Sequence, residues 1–360
     1  MRLKLSAVAA ISILLSIAAS CQRNDSRSPV SGDVCDRACL ENYVDQYMDA
    51  MLSHEPSGSL FAKDCRFTEN GVRLPLGEGL WSSMVGKGTY KFYVPDIETQ
   101  QVAFIGTARE ESMGPGEGTP VAIALRLKIQ DGMISEAEQL VIRPESSLLR
   151  PDSPPSLFTA GSNIEKMGSP HPVYAEAIPP QERPSREEMI KTADLYFSGL
   201  QLNDGKGFYP FSDDCERYEN GTRATNVPVK EGEKRPDPRT ESSYSSAWGC
   251  KEQFESGLMR FVTRIRDRRY VAVDRERGIV FSFCFFDHAA GKTRHYKAPD
   301  GRDIVAGPTE PWTWQIAELF KVEKGLIRRI EAVLQRVPYG MNSGWSTYEQ
   351  GLSDQIQIIK

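Results

Sequence analysis

The stretch Asp64-Cys65-Arg66-Phe67-Thr68-Glu69-Asn70-Gly71 returns as Asp214-Cys215-Glu216-Arg217-Tyr218-Glu219-Asn220-Gly221, with five of eight residues identical at an offset of 150. Phe61 and Phe211 precede the two copies by the same three residues. A chain that repeats in this way is expected to fold as two copies of one unit. Its 360 residues, 39% of them hydrophobic, suffice for two cores of ordinary size. The end hairpins repeat as well: Lys128 to Ile134 matches Lys321 to Ile327, Glu138 falls on Glu331, and Arg143 on Arg336.

At the N-terminus, Arg2 and Lys4 precede an apolar run from Leu5 to Ile17 and the small residues Ala18-Ala19-Ser20. This pattern predicts a signal peptide over 1–20 and export to the periplasm, a membrane anchor or the medium. Cys21 directly behind a small-residue site resembles a bacterial lipobox, so lipidation at Cys21 and plain secretion both stay open. Residues 21–34 read as a polar tether. Export makes disulfides available. The expected pairs are Cys215 with Cys250, bracketing a Pro, Lys, Glu and Ser rich insertion at 227–246, and Cys35 with Cys39 at the start of the first helix. Cys65 and Cys284 are then free thiols. A net charge of −5 argues against a nucleic-acid partner. No Cys-x-x-Cys, His-Glu-x-x-His or phosphate-loop spacing occurs, so neither a metal nor a cofactor is expected.

The first unit spans 35–143. Leu40, Tyr43, Val44, Tyr47, Met48 and Met51 recur at helical spacing, a short second helix carries Leu60 and Phe61, and the motif strand ends at the Asn70-Gly71 turn. A brief helix around Gly79 to Met84 leads into four strands, the last two joined through Gln130-Asp131-Gly132. Residues 144–184, with nine prolines, form a linker running extended over the surface. The second unit spans 185–345. It opens with Ser185 capping a helix and Glu188 at capping-box spacing, and a tail follows at 346–360.

Helix, helix, strand, helix and then an antiparallel meander resembles the nuclear transport factor 2-like superfamily, which includes ketosteroid isomerase, scytalone dehydratase and small polyketide cyclases. The segment Phe61-Ala62-Lys63-Asp64-Cys65-Arg66-Phe67-Thr68-Glu69-Asn70-Gly71 is similar to that superfamily's motif strand. The resemblance implies an α+β fold of two cone-shaped domains, each a curved, mostly antiparallel sheet wrapped on about three helices. It also implies that they pack sheet to sheet as an internal pseudo-dimer, the molecule being a monomer. In the ketosteroid isomerase branch the carboxylate matching Glu69 shuttles a proton, which implies the same role for Glu219.

A carboxylate on a strand bordering a cavity mouth is partly desolvated, which suits a general base. The competing reading is that Glu-Asn-Gly merely ends a strand. The second unit holds more chemistry: Glu219 as base, His288 or Asp287 as acid, and Tyr218, Asn220, Trp248, Arg268, Trp312 and Trp314 around a small-molecule substrate. Strand alternation points Asp287 and His288 to opposite faces, with the cavity face undecided. Arg266 to Arg269 read alternatively as a solvated edge. Glu69, Asn70 and Trp81 are the first-unit counterparts, in what reads as a scaffold copy. Two functions survive: an exported cofactor-independent lyase or isomerase with dehydratase-like acid/base chemistry on a small molecule or glycoside, and a noncatalytic ligand-binding or interaction protein.

Overall fold

A computed structural model describes residues 34–56, 58–114, 116–145 and 158–359. The expected signal peptide, most of the tether and Cys21 lie outside the described residues, as does part of the linker. Helix α1 (Arg37–Leu52) is capped by the Asp36 side chain, which accepts from the Cys39 amide, and buries the six apolar positions that its spacing marks. Residues 58–60 form turns, and Phe61 opens a strand rather than lying on a second helix. Strands β1 (Phe61–Glu69) and β2 (Val72–Arg73) come first, then the short helix α2 (Leu80–Ser83). Strands β3 (Met84–Asp96), β4 (Gln101–Glu110), β5 (Thr119–Gln130) and β6 (Met133–Ile142) follow. The sheet order is β2-β1-β6-β5-β4-β3, antiparallel except for β1 beside β6.

The second unit builds the same arrangement. Helix α4 (Arg186–Leu202) starts on the Ser185/Glu188 capping box. Then come β7 (Phe211–Glu219), β8 (Thr222–Arg223), α5 (Cys250–Glu255), β9 (Arg264–Asp274) and β10 (Ile279–His288). A small hairpin of β11 (His295–Lys297) and β12 (Asp303–Val305) precedes β13 (Trp312–Glu323) and β14 (Leu326–Val337). The order β9-β10-β13-β14-β7-β8 repeats that of the first sheet, with β7 again parallel to its neighbour. Among the described residues each unit carries two helices before or within its sheet rather than about three: α1 and α2, then α4 and α5.

The repeated triplet has a structural task. Asn70 and Gly71 sit at φ 51° and 78°, and Asn220 and Gly221 at 48° and 72°, the left-handed pair that a two-residue hairpin turn needs. Each Asn side chain then clamps the long neighbouring strand from outside. Asn70 donates to the Val141 carbonyl at 3.2 Å and accepts from the Val141 amide at 2.8 Å. Asn220 does the same to Leu334 at 3.0 and 2.9 Å. Each amide thus spends one donor and one acceptor on fixing register.

Among the described residues the three largest clusters of buried apolar side chains carry most of the packing. One lies inside each unit. The third lies between the sheets, where Phe281 and Phe283 of β10 share a cluster with Tyr90, Phe92, Val94 and Ile105 of the first sheet. The linker contributes to it, contrary to an extended course over the surface: α3 (Ala160–Lys166) buries Ile164, and Val173 and Tyr174 join the cluster. Apolar residues hidden at this spacing outweigh the local proline content. The tail returns as α6 (Tyr348–Leu352) and β15 (Ile356–Ile358), which pairs in parallel with β9. Arg266, Arg268 and Arg269 are therefore buried, not a solvated edge.

Candidate functional site

On β7, Arg217 and Glu219 are two residues apart and so share a face, which looks into the interior of the second unit. Arg217 Nε lies 2.9 Å from Glu219 Oε1, and Nη2 donates to Gln253 Oε1 of α5 at 2.8 Å. Glu318 enters from β13. These three groups, Tyr196 of α4, Tyr244 of the insertion and His288 at the end of β10 line a cavity of about 70 Å³. Its other walls are apolar, among them Leu200, Met259, Phe286, Trp314 and Ile316.

The two carboxyl groups have unlike surroundings. Glu219 keeps a third of its side chain exposed and is matched by Arg217. Glu318 is 2% exposed, and its Oε2 has no hydrogen-bond partner. Burial pushes its carboxyl up to about 8; Arg217 and a hydrogen bond from Tyr196 pull the other way, and the Glu219 charge adds to the rise. Glu318 therefore holds its proton at neutral pH. His288 moves in the opposite direction. Burial, against its carbonyl hydrogen bond and Asp287, holds it down at about 4, so the ring is neutral. Its Nδ1 faces the Phe286 carbonyl at 3.1 Å and must be the donor there, which leaves Nε2 with a lone pair. The ring is stacked on Trp312 at 4.0 Å.

These shifts set opposite pH dependences for folding. The folded value of Glu318 lies above the ordinary 4.5, so its contribution to stability is full below that value and is lost as pH rises through about 8. The folded value of His288 lies below 6.5, so its contribution is full above 6.5 and is lost as pH falls toward 4. Glu318→Gln, neutral at every pH, is expected to flatten the fall in melting temperature as pH rises from 4.5 to about 8. Parallel wild-type and variant curves over that range would show Glu318 to be ionised in the folded protein.

A family model described as "Domain of unknown function (DUF8021)" matches residues 33–141 and 182–334. The chain belongs to the DUF8021 family. The two matched segments follow the two structural units of this DUF8021 chain. A comparison with curated proteins returned no match. Three solved structures are similar at low identity. A de novo designed protein with curved β-sheet is 16% identical, covering 42% of this chain and 88% of that chain at a TM-score of 0.23. An LEH-like epoxide hydrolase from M. tuberculosis is 13% identical, covering 42% and 86% at 0.23. An NTF2-like protein from Anabaena variabilis ATCC 29413 is 14% identical, covering 42% and 92% at 0.22. Likeness at this level says nothing of reaction or ligand.

Of the residues singled out from sequence, the cavity of the DUF8021 chain gathers Glu219, His288 and Trp314. Trp312 backs His288 and lies 4.4 Å from Trp314. The others sit elsewhere. Asp287 points away from His288 and binds Arg264, Arg266 and Thr313. Arg268 faces Asp194 and Gln201, outside the cavity. Tyr218 turns to the opposite face from Glu219, its ring under the Arg329 guanidinium at 4.4 Å. Trp248 is buried with Leu258 and Ile304 and donates to the Pro236 carbonyl at 2.9 Å. Cys215 and Cys250 are free thiols rather than a disulfide, although their side chains are hydrogen-bonded neighbours, and the Cys250 thiol also reaches the Cys215 carbonyl at 3.2 Å. Cys35 and Cys39 are bonded, and Cys65 and Cys284 are free.

At the equivalent place in the first unit the carboxylate is buried and engaged. Glu69 accepts from the Leu80 amide at 2.8 Å and from Gln139 at 3.1 Å, and pairs with Arg143 at 2.9 Å. Trp81 is buried against Tyr47 and Phe61 and donates to the Tyr47 hydroxyl at 3.0 Å. Sequence reading missed Arg217, Glu318, Tyr196 and Tyr244. For the first two a signal existed. By the repeat offsets, Arg217 stands where the first unit has Phe67, and Glu318 where it has Leu125, both core residues.

Proposed function

We propose that the second unit is a cofactor-independent acid/base catalyst, a lyase or isomerase acting on a small molecule held in this cavity. The observation that carries the reading is one cavity with two carboxyl groups in unlike environments, Glu219 paired with Arg217 and Glu318 buried with its proton. A carboxyl group that burial keeps protonated, beside one that reaches water and a guanidinium, lets the pair divide the acid and base roles. Glu219 takes a proton from the substrate, and Glu318 gives one to the oxygen that leaves or gains charge. Tyr196 orients Glu318, and the neutral His288 offers a hydrogen-bond acceptor. The acid role thus passes from His288 to Glu318. The first unit, whose matching carboxylate is held by Leu80, Gln139 and Arg143, serves as scaffold, and the apolar cluster between the sheets supports reading the pair as an internal pseudo-dimer. The N-terminal residue pattern supports a site of action outside the cytoplasm.

The noncatalytic alternative draws on the apolar side chains of the cavity, among them Leu200, Met259, Phe286 and Ile316. The test is to incubate the protein in deuterated water with extracts of its native surroundings, following deuterium uptake and gain or loss of water by mass spectrometry. Turnover is expected to fall above about pH 8, where Glu318 gives up its proton. An apolar ligand that co-purifies unchanged, with no turnover of anything, would establish the binding protein instead.

A further inference from the structure

The insertion at 227–246 has no counterpart in the first unit, and it places Tyr244 in the cavity wall. Tyr244 is 39% exposed, so one side of it meets solvent while the ring packs beside Phe261 with centroids 6.2 Å apart. The segment is tied down on both sides of it. Gln253 donates to the Ser245 carbonyl at 2.8 Å, and Arg302 donates to the carbonyls of Glu241 at 2.6 Å and Pro238 at 2.8 Å. The Val227 amide closes the loop base on the Ser246 carbonyl at 2.9 Å. Tyr244 is thus a fixed ceiling. The space beneath it, about 70 Å³, is half of the roughly 150 Å³ that accommodates benzene in an apolar protein cavity.

Charge narrows the choice further. The Arg217 guanidinium is matched by Glu219 at 2.9 Å and engages Gln253. An entering anion would meet a guanidinium whose charge Glu219 already neutralises. The unpartnered Glu318 Oε2 instead offers a hydrogen bond to a neutral oxygen.

We propose that Tyr244 is the specificity-determining residue of this cavity, restricting it to uncharged molecules smaller than a benzene ring. The inference rests on the reading that this cavity is the ligand site. Removing the ring leaves a phenol-shaped space, so phenol is the probe. Calorimetric titration is expected to show phenol binding Tyr244→Ala at least about tenfold more tightly than wild type. Tyr244→Phe, which keeps the ring, is expected to behave as wild type, and benzoate to gain nothing in any of the three. Melting temperatures confirm folding, and Tyr244→Leu carries the same expectation to a lesser degree should the alanine variant unfold. Equal phenol affinity in wild type and Tyr244→Ala, tighter binding of benzoate than of phenol, or no phenol binding by either shortened variant would each overturn the proposal. Binding is read here without turnover. Size-selective binding with no reaction would remove the acid/base reading and leave this one, and turnover lost in Glu219→Gln alongside size-blind binding would do the reverse.

Discussion

Glu219→Gln is expected to cut turnover by about 10²–10⁴ while leaving the melting temperature nearly unchanged. The amide keeps the shape and can still accept from Arg217, but it cannot take a proton. Stability is spared because Glu219 keeps a third of its side chain in water and its partner is the neighbouring Arg217 side chain. The matching change in the first unit should behave in the opposite way. Glu69 is buried and holds the α2 amide of Leu80 together with Gln139 and Arg143. Glu69→Gln puts an NH₂ donor in place of an acceptor oxygen there, costing about 1–3 kcal/mol of stability with no loss of rate. Comparing the two variants in rate and in thermal unfolding separates a reacting carboxylate from a structural one at repeat-equivalent positions. Equal rates in wild type and Glu219→Gln would exclude Glu219 as the base.

The repeat made the fold legible. Long strands such as β6 and β14 alternate or run apolar, and their joining turns carry Asp-Gly or Lys-Gly, so period and turn chemistry agree. The linker misled because its prolines mark breaks in regular structure, whereas Ile164, Val173 and Tyr174 are recruited by a surface that exists only once both sheets are formed. The same holds for Arg266 to Arg269, which read as solvated until the tail strand β15 covers them. At the site, motif identity drew attention to what the copies share, and the shared Asn and Gly turned out to fix register. The proposed chemistry lies where the copies differ. Arg217 replaces a core Phe, Glu318 a core Leu, and Ala332 stands where Gln139 reaches across to Glu69, which helps leave the second unit hollow. A charge at a position that its own repeat keeps apolar was the readable signal. Tyr244 had none, since only the tertiary course of the insertion brings it to the cavity.

Asp287→Ala is expected to be the most destabilising of the substitutions considered, at about 3–5 kcal/mol. Asp287 is fully buried, and burial alone would raise its carboxyl. Arg266, Thr313 and Arg264 outweigh that and hold it below the usual carboxylate range. Its Oδ2 accepts from Arg266 Nε at 2.9 Å and Arg264 Nη2 at 2.6 Å, and its Oδ1 from Thr313 at 2.7 Å. Removing the carboxylate strands Arg266, which is also fully buried and holds the tail through the carbonyls of Met341 and Gly351, both at 2.9 Å. An uncompensated guanidinium there must either stay desolvated or swing out and release α6 and β15. Hydrogen exchange should therefore show faster exchange at residues 348–358 as well as a lower global stability. Because the folded value is depressed, the stabilisation by Asp287 is present above 3.8 and is lost as pH falls below it, so wild type and variant should converge in strong acid. A variant that keeps the wild-type melting temperature and tail protection but loses turnover would return Asp287 to the reacting groups, and with it the direction in which the end of β10 presents its chemistry.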